Sequence, residues 1–366
     1  MRIPFLDLTA AVEELAGEID TAATRVLRSG RYILGEEVAA FEQEFASFCG
    51  VRHCIGVGNG LDALQLILRA LGIGSGDEVI VPAYTASATW MAVSLVGATP
   101  VGADVDAVTW NLDADRAAAA ITQRTRAIIA VHLFGQPADV QRLAAIADAH
   151  GVVLIEDAAQ AHGAHARGRP AGSLARAGAF SFYPTKNLGA LGDGGAITTD
   201  DDDLAETARM LRTYGWRRRD ESEVKGLNSR LDELQAALLR VRLPMLESWN
   251  DRRRALAREY RERLAGVDGV SAPSAPEWAE CVWHVFAVEV PDRDRVRRQL
   301  SERGVGTLVH YHPLPHLTRA YTNDGWRAGS LPVAERLSRR EISLPLYPQL
   351  PREACAQVVE ELARVL

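Results

Sequence analysis

The sequence predicts an α/β protein, a sheet with crossover helices on its faces, followed by a smaller second domain. Three observations carry this expectation. Between His53 and Thr198 short apolar runs alternate with stretches of helical periodicity, the pattern of strands joined by crossover helices. Near Pro244 the character changes to one long, heavily charged helix. No internal repeat, low-complexity block or flexible linker interrupts the 366 residues, a length that suits one large domain and a smaller one, each with its own core. The boundary is expected at that helix, giving domains of residues 1–245 and 246–366.

Taken in order, Val12 to Leu27 carries apolar residues at helical spacing and stops at Ser29-Gly30, and a second helix from Glu36 to Phe48 stops at Gly50. Strands are then expected at His53–Val57, Glu78–Val81, Thr99–Ala103, Ala127–Val131 and Val152–Ile155. Helices fall between them at Leu61–Leu71, Ala86–Leu95 and Val140–His150. Gly178–Phe182 and Gly194–Thr198 read as two further strands flanking a glycine-rich loop. Beyond the charged helix, Pro244 to Leu264, come a strand-like run Val282–Val290, a helix Asp294–Arg303 and a Pro- and His-rich stretch Val309–Leu317.

Composition excludes several classes. With 47% hydrophobic and 24% charged residues the chain reads as a soluble globular protein, and no apolar run approaches the roughly 20 residues that span a membrane. The start MRIPFLDLTA lacks a basic region followed by an apolar core, so a cytoplasmic location is expected. A net charge of -7 argues against a nucleic-acid partner, which needs clustered positive charge. Of two basic runs, Arg252-Arg253-Arg254 reads as a solvated helix face, and Arg217-Arg218-Arg219 as a loop that can meet an anionic ligand. Cys49, Cys54, Cys281 and Cys355 show no zinc spacing and no Cys-x-x-Cys, so reduced, buried thiols are expected.

The chemistry lies at three places. Ile155-Glu156-Asp157-Ala158-Ala159-Gln160 ends an apolar strand in an acidic pair, and ligands of open α/β sheets bind beyond the carboxyl ends of the strands. A carboxylate there faces the ligand or merely caps the next helix. Next, Ser181-Phe182-Tyr183-Pro184-Thr185-Lys186-Asn187 opens a strand into a loop bearing a lysine, in a chain with few lysines among many arginines. A lysine can lose its proton in a shielded site and form a Schiff base, which arginine cannot. Third, Gly58-Asn59-Gly60 precedes a helix whose first free amides point at an anion. Lysine, carboxylate and amide donors together are what pyridoxal phosphate requires for its aldehyde, ring nitrogen and phosphate.

These segments, Glu156-Asp157-Ala158-Ala159-Gln160-Ala161-His162-Gly163, Ser181-Phe182-Tyr183-Pro184-x-Lys186-Asn187-Leu188-Gly189 and Asn228-Ser229-Arg230-Leu231-Asp232-Glu233-Leu234-Gln235-Ala236, resemble the signature of the DegT/DnrJ/EryC1/StrS sugar aminotransferases. Pro4-Phe5-Leu6-Asp7-Leu8 and Val131-His132-Leu133-Phe134-Gly135-Gln136-Pro137 extend the resemblance over essentially the whole chain. It implies an aspartate-aminotransferase-like fold, with a mixed, mostly parallel seven-stranded sheet and a small α+β C-terminal domain. It implies pyridoxal 5'-phosphate as cofactor, with Lys186 forming the Schiff base and shuttling the proton, and Asp157 keeping the ring nitrogen protonated. Gln160 would bond the phenolic oxygen. Ser181, Asn59 and the amides of Gly60 and Leu61 would hold the phosphate, with Asn228 reaching it from the neighbouring subunit of a homodimer. Tyr32 lies in a family-like segment near that boundary.

One departure concerns the ring-stacking residue: where the family carries an aromatic after Pro-x-x-Thr, this chain has Ala86 after Pro82-Ala83-Tyr84-Thr85. Tyr84, Trp90 or smaller groups then take that face. Tyr183, Lys225, His310 and Tyr311 are the candidates for contacting the sugar or its diphosphate. His310, His312 and His316 are interrupted by two prolines, so no metal site is expected. The implied reaction moves an amino group from an amino acid, L-glutamate, to a dTDP-linked 3-keto-6-deoxysugar. A 4-keto sugar nucleotide or a keto-cyclitol is the alternative acceptor. A dehydratase of the same fold, expected to carry histidine at position 186, and a non-catalytic binding protein are the rival classes.

Overall fold

A computed structural model describes residues 2–366. Seven strands form the central sheet: β1 (His53–Val57), β2 (Glu78–Pro82), β3 (Thr99–Ala103), β4 (Thr125–Val131), β5 (Val153–Asp157), β6 (Gly178–Ser181) and β7 (Gly195–Thr199). They lie in the order β1-β7-β6-β5-β4-β2-β3, with β7 antiparallel to both its neighbours and the other pairs parallel. Six strands therefore end on one edge, and β7 starts there. The expected strands are all present; β5 runs two residues further than its apolar run, carrying Glu156 and Asp157 into the sheet.

Alternation along the strands explains why both faces are covered. Val79, Val81, Ile129, Ile155 and Ile197 pack on one face with residues of the helices Gly60–Ala70, Ser87–Leu95 and Asp202–Leu211. Ile80, Ile128, Ala130 and Leu154 point the other way, toward Val140–His150. Cys54, Phe180 and Ala196 do the same toward Glu36–Cys49 and Glu233–Arg242. The same alternation splits the acidic pair. Asp157 faces the Ser87–Leu95 side, where the Thr89 hydroxyl reaches it at 2.8 Å. Glu156 is buried on the opposite face, paired with His132 Nε2 at 3.0 Å and accepting the amides of Gly172, Leu174 and Ala175. Its role there is to hold a loop.

A second core collects residues from Leu256 to the last helix, Arg352–Val365, together with Ile3. At its centre β8 (Phe286–Glu289) pairs antiparallel with β9 (Glu341–Leu344). The strand expected over Val282–Val290 is shorter because Trp283 takes a left-handed φ of 49°. The amides of Val282 and His284 instead bond the carbonyls of Gly135 and Phe134, docking this segment on the loop after β4.

Two more expectations shift. The first helix is two, Leu8–Glu13 and Ala16–Ser29, because Leu15 leaves helical dihedrals (φ -128°, ψ 23°) and is buried. The charged helix, observed at Leu246–Leu264, is not solvated along the whole basic run. Arg252 and Arg254 pair with carboxylates at the surface, but Arg253 is buried and donates to the carbonyls of Trp283, His284 and Leu346. Its guanidinium ties the helix to both segments of the second core.

Candidate active site

The carboxyl edge of the sheet gathers the sequence-predicted residues. β5 delivers Asp157, β6 delivers Ser181 and then the lysine loop, and β1 delivers Asn59. The loop closes on itself: the Lys186 amide donates to Tyr183 O at 2.8 Å and the Ala190 amide to Phe182 O at 2.8 Å. Asn187 anchors it. Its side-chain amide donates to Asn250 Oδ1 and to Val282 O, and its Oδ1 meets His284 Nδ1 at 3.1 Å. The residue beside the lysine thus binds the loop to the long charged helix and to the segment ahead of β8, which fixes where Lys186 emerges.

Burial pulls the Lys186 ammonium down from 10.5 to about 8, against an opposing attraction from Asp157. No carboxylate pairs with it among the described residues. Burial likewise raises the Asp157 carboxyl, while the Thr89 hydroxyl, the Ala159 amide and Lys186 oppose the rise. Three histidines crowd the same space and stay neutral. Burial and the Lys186 charge take His162 to about 3 and His310 to about 4, and hold His284 far below its usual value. Burial thus brings the lysine close enough to neutral pH that it can both hold and give up a proton, among imidazoles that stay neutral.

At the other end, Asn59 caps the helix Gly60–Ala70, its Oδ1 accepting from the Asp62 amide at 2.8 Å. The start of this helix, at Gly60, lies against Ser181. Two glycines bring these parts together. A Cβ on Gly60 would lie 2.7 Å from Ser181 Cβ, and one on Gly195 would lie 2.4 Å from the Asn59 carbonyl carbon. Any larger residue would push the helix start away from the strands.

Gln160 is oriented by the Phe134 amide, which donates to its Oε1 at 2.6 Å, and its Nε2 donates to the Tyr311 hydroxyl at 2.7 Å. Tyr311 and His310 thereby join Asp157 and Lys186. Tyr84 is buried edge-on against Trp110 and Phe134, its hydroxyl donating to His310 O. Trp90 is excluded as the stacking face: it is fully buried, its indole donates to Pro82 O, and His316, Tyr321 and Trp326 surround it. Tyr183, Lys225 and Asn228 are not gathered in; all three are exposed, as is Tyr32. The Lys225 carbonyl is held by Arg69. The Arg217 to Arg219 run lies on a small hairpin, Trp216–Arg218 paired with Glu221–Ser222; Arg217 pairs with Glu206 and Glu223, and the hairpin remains largely exposed.

Sequence reasoning missed Thr89, Asn187, His162 and His284. The spacing of Thr85 and Thr89 was a legible signal, since residues four apart share a helix face and their hydroxyls meet at 3.0 Å. The histidines gave none, because a lone His on an apolar stretch does not reveal what it approaches.

The groups present fit pyridoxal phosphate. Asp157 is a buried carboxylate with no cation paired to it among the described residues, on the same sheet edge as a cradle of hydroxyl and amide donors and within electrostatic reach of the low-pKa Lys186. Fold and site together define a pyridoxal-phosphate enzyme. The chain belongs to the DegT/DnrJ/EryC1/StrS aminotransferase family, which matches residues 13–363. It is 53% identical to the dTDP-3-amino-3,4,6-trideoxy-alpha-D-glucose transaminase of Streptomyces venezuelae, over 98% of this chain and 95% of that one. It is 48% identical to the dTDP-3-amino-3,6-dideoxy-alpha-D-galactopyranose transaminase of Aneurinibacillus thermoaerophilus, over 99% of each. Among solved structures, S. venezuelae DesV in complex with a ketimine intermediate superposes with a TM-score of 0.97 at 52% identity, covering 99% of this chain and 98% of that one.

Proposed function

We propose that this aminotransferase moves an amino group from L-glutamate to the C3 carbonyl of a dTDP-linked 3-keto-6-deoxysugar. The observation that carries the reading is the convergence of Lys186, lowered to about 8, with Asp157 and the Asn59–Gly60–Ser181 cradle on one sheet edge. Two relatives named for 3-amino dTDP sugars, matched end to end, support the choice of acceptor and ring carbon.

Bound in this site, pyridoxal phosphate supplies a carbon that carries the amino group and a ring that withdraws electrons from it. The chain's residues do the rest. Lys186 Nζ takes the proton from the α-carbon of the amino donor and, in the second half of the exchange, places one on the sugar carbon that receives the nitrogen. Its lowered pKa lets it both accept and give that proton near neutral pH. Asp157, steadied by Thr89, keeps a proton on the ring nitrogen. Gln160 Nε2 donates to the phenolic oxygen. Asn59, Ser181 and the amides of Gly60 and Leu61 neutralise the phosphate at a helix start.

The acceptor side draws on the exposed Tyr183 and Lys225 and on His310 and Tyr311 at the rim of the inner network. Tyr183, Lys225, His310 and Tyr311 contact the sugar or its diphosphate, and Asn228 of a second copy completes the phosphate site, making a homodimer the competent unit. The exposed Tyr32, Ile33 and Leu34 form the apolar surface expected at such a boundary. The enzyme works in the cytoplasm, where nucleotide sugars and glutamate are available; no helix among the described residues is long and apolar enough to cross a membrane. The test is to incubate enzyme and glutamate with dTDP-3-keto and dTDP-4-keto sugars and follow amine formation by mass spectrometry. Amination of only the 4-keto compounds would overturn the assignment of the ring carbon.

A further inference from the structure

The second core places a buried three-residue chain against the cleft. Glu341 and Ser343 point the same way from β9, and both are fully buried. Ser343 Oγ is in close hydrogen-bond contact with Glu341 Oε1 and lies 2.7 Å from His310 Nδ1. The His310 amide donates to Glu341 Oε2 at 2.7 Å, so carboxyl, hydroxyl and imidazole are held as one unit. His310 itself is only partly buried, and its Nε2 has no protein partner among the described residues. Lys186 lies near enough for its charge to act on the same ring.

A hydroxyl holds one proton, so this chain has two arrangements. With Glu341 ionised, Ser343 donates to the carboxylate and accepts from His310 Nδ1–H, which leaves a lone pair on Nε2. With Glu341 protonated, every bond reverses: Glu341 donates to Ser343, Ser343 donates to Nδ1, and the ring proton sits on Nε2. The carboxyl takes part in no ion pair among the described residues. Arg293 and Arg297 are the cations that act on it, from the Arg293–Glu302 helix, and Arg293 is itself paired with Asp294. Glu289, opposite Glu341 across the β8–β9 pair, is ion-paired with Arg336 and Arg340, and Tyr84 and Tyr311 are held neutral by burial. A buried carboxyl so placed keeps its proton.

We propose that Glu341, acting through Ser343, fixes the tautomer of His310 so that Nε2–H is presented to the bound sugar as a hydrogen-bond donor. Glu341 and Ser343 are positioning residues; they set a proton two bonds away without touching the substrate. Burial raises the Glu341 carboxyl to about 8, so the donor arrangement holds at neutral pH and is lost as pH rises through that value. The proposal rests on His310 as a sugar contact, and its test separates the two ideas.

Ring 15N shifts of histidine-labelled enzyme, with the His310 signals assigned from a His310→Gln sample, report the tautomer without turnover. The expected result is Nε2–H at pH 7, giving way to Nδ1–H as pH rises past about 8. Glu341→Gln, whose amide donates to Ser343 and accepts from the His310 amide, keeps Nε2–H at all these pH values. It also stays within about two-fold of wild type in sugar amination, without the alkaline loss. Ser343→Ala abolishes the preference and lowers kcat/KM for the sugar by about 3- to 10-fold, the worth of one neutral hydrogen bond. Nδ1–H in the wild type at pH 7, or identical pH responses in wild type and Glu341→Gln, would overturn the proposal. Unchanged sugar kinetics in His310→Gln would instead remove His310 from the sugar site while leaving the tautomer result standing.

Discussion

The two sides of the site are built differently. On the inner side Asp157, Gln160, Asn187 and His310 are each held by at least one hydrogen bond to a neighbouring element, and Lys186 emerges from a loop that is closed at both ends. On the outer side Tyr183, Lys225 and Asn228 stand exposed, and the segment carrying the last two is held through its backbone, the Lys225 carbonyl by Arg69 and Asn228 by a bridge to Thr213. The contrast follows from what each side must do. Proton transfer demands groups fixed to a fraction of an ångström before the substrate arrives. A large, charged nucleotide sugar has to enter and leave, and an exposed surface can be completed by a second copy of the chain.

If that division is right, the largest effect comes from the centre of the inner side. Lys186→Ala removes the group to which the proton transfer is assigned and should lower turnover by at least about 100-fold, the lower end of what a positioned acid–base group contributes. The colour change on adding glutamate should disappear with it. Because Lys186 is desolvated and makes no ion pair among the described residues, the variant should melt no lower than wild type when both are free of cofactor. Full glutamate-dependent turnover in the alanine variant would remove Lys186 from the mechanism.

The next effect tests the cradle. Gly195→Ala forces a methyl to within 2.4 Å of the Asn59 backbone, and neither the strand nor the helix start can yield without shifting. Overpacking of this kind costs about 1–3 kcal/mol. Here it falls on the proposed phosphate donors, so the cofactor dissociation constant should rise by about 5- to 150-fold, with kcat at saturating cofactor much less changed. Titration of the cofactor-free protein by absorbance measures it. Equal affinity in the two proteins would show that the phosphate is held elsewhere.

Much of this was legible in the sequence, for reasons that can be named. The strands were readable because each is a short apolar run bounded by turn residues, and the sheet needs both faces covered. Lys186, Asp157 and the Gly58-Asn59-Gly60 turn were readable because each sits where a strand ends, so topology alone brings them to one edge. What was hidden depends on pairing at long range. Glu156 looks equivalent to Asp157 until the alternation of β5 turns it to the opposite face. Arg253 reads as surface charge until the carbonyls of Trp283 and Leu346 are seen around it. Trp283 breaks a run that composition alone makes a strand, and the partnership of Glu341 with His310 spans 31 residues of loop and helix.

The smallest effect lies on the outer side, at Lys225. The chain has just two lysines, Lys186 and Lys225, and they illustrate opposite uses of the same side chain: one with its proton loosened by desolvation, the other exposed with its position set through a carbonyl held by Arg69. Because that grip is on the backbone, Lys225→Gln should leave the segment in place and remove only a charge. An exposed charge acting on a diphosphate through water contributes about 0.2–1 kcal/mol, so KM for the sugar nucleotide should rise by about 2- to 5-fold with kcat unchanged. The difference should shrink as salt is raised, since exposed charges are screened over about 8 Å at physiological ionic strength. KM for glutamate should not move. A change in the glutamate half-reaction instead would place Lys225 with the inner machinery, and the division between the two sides would fail at this residue.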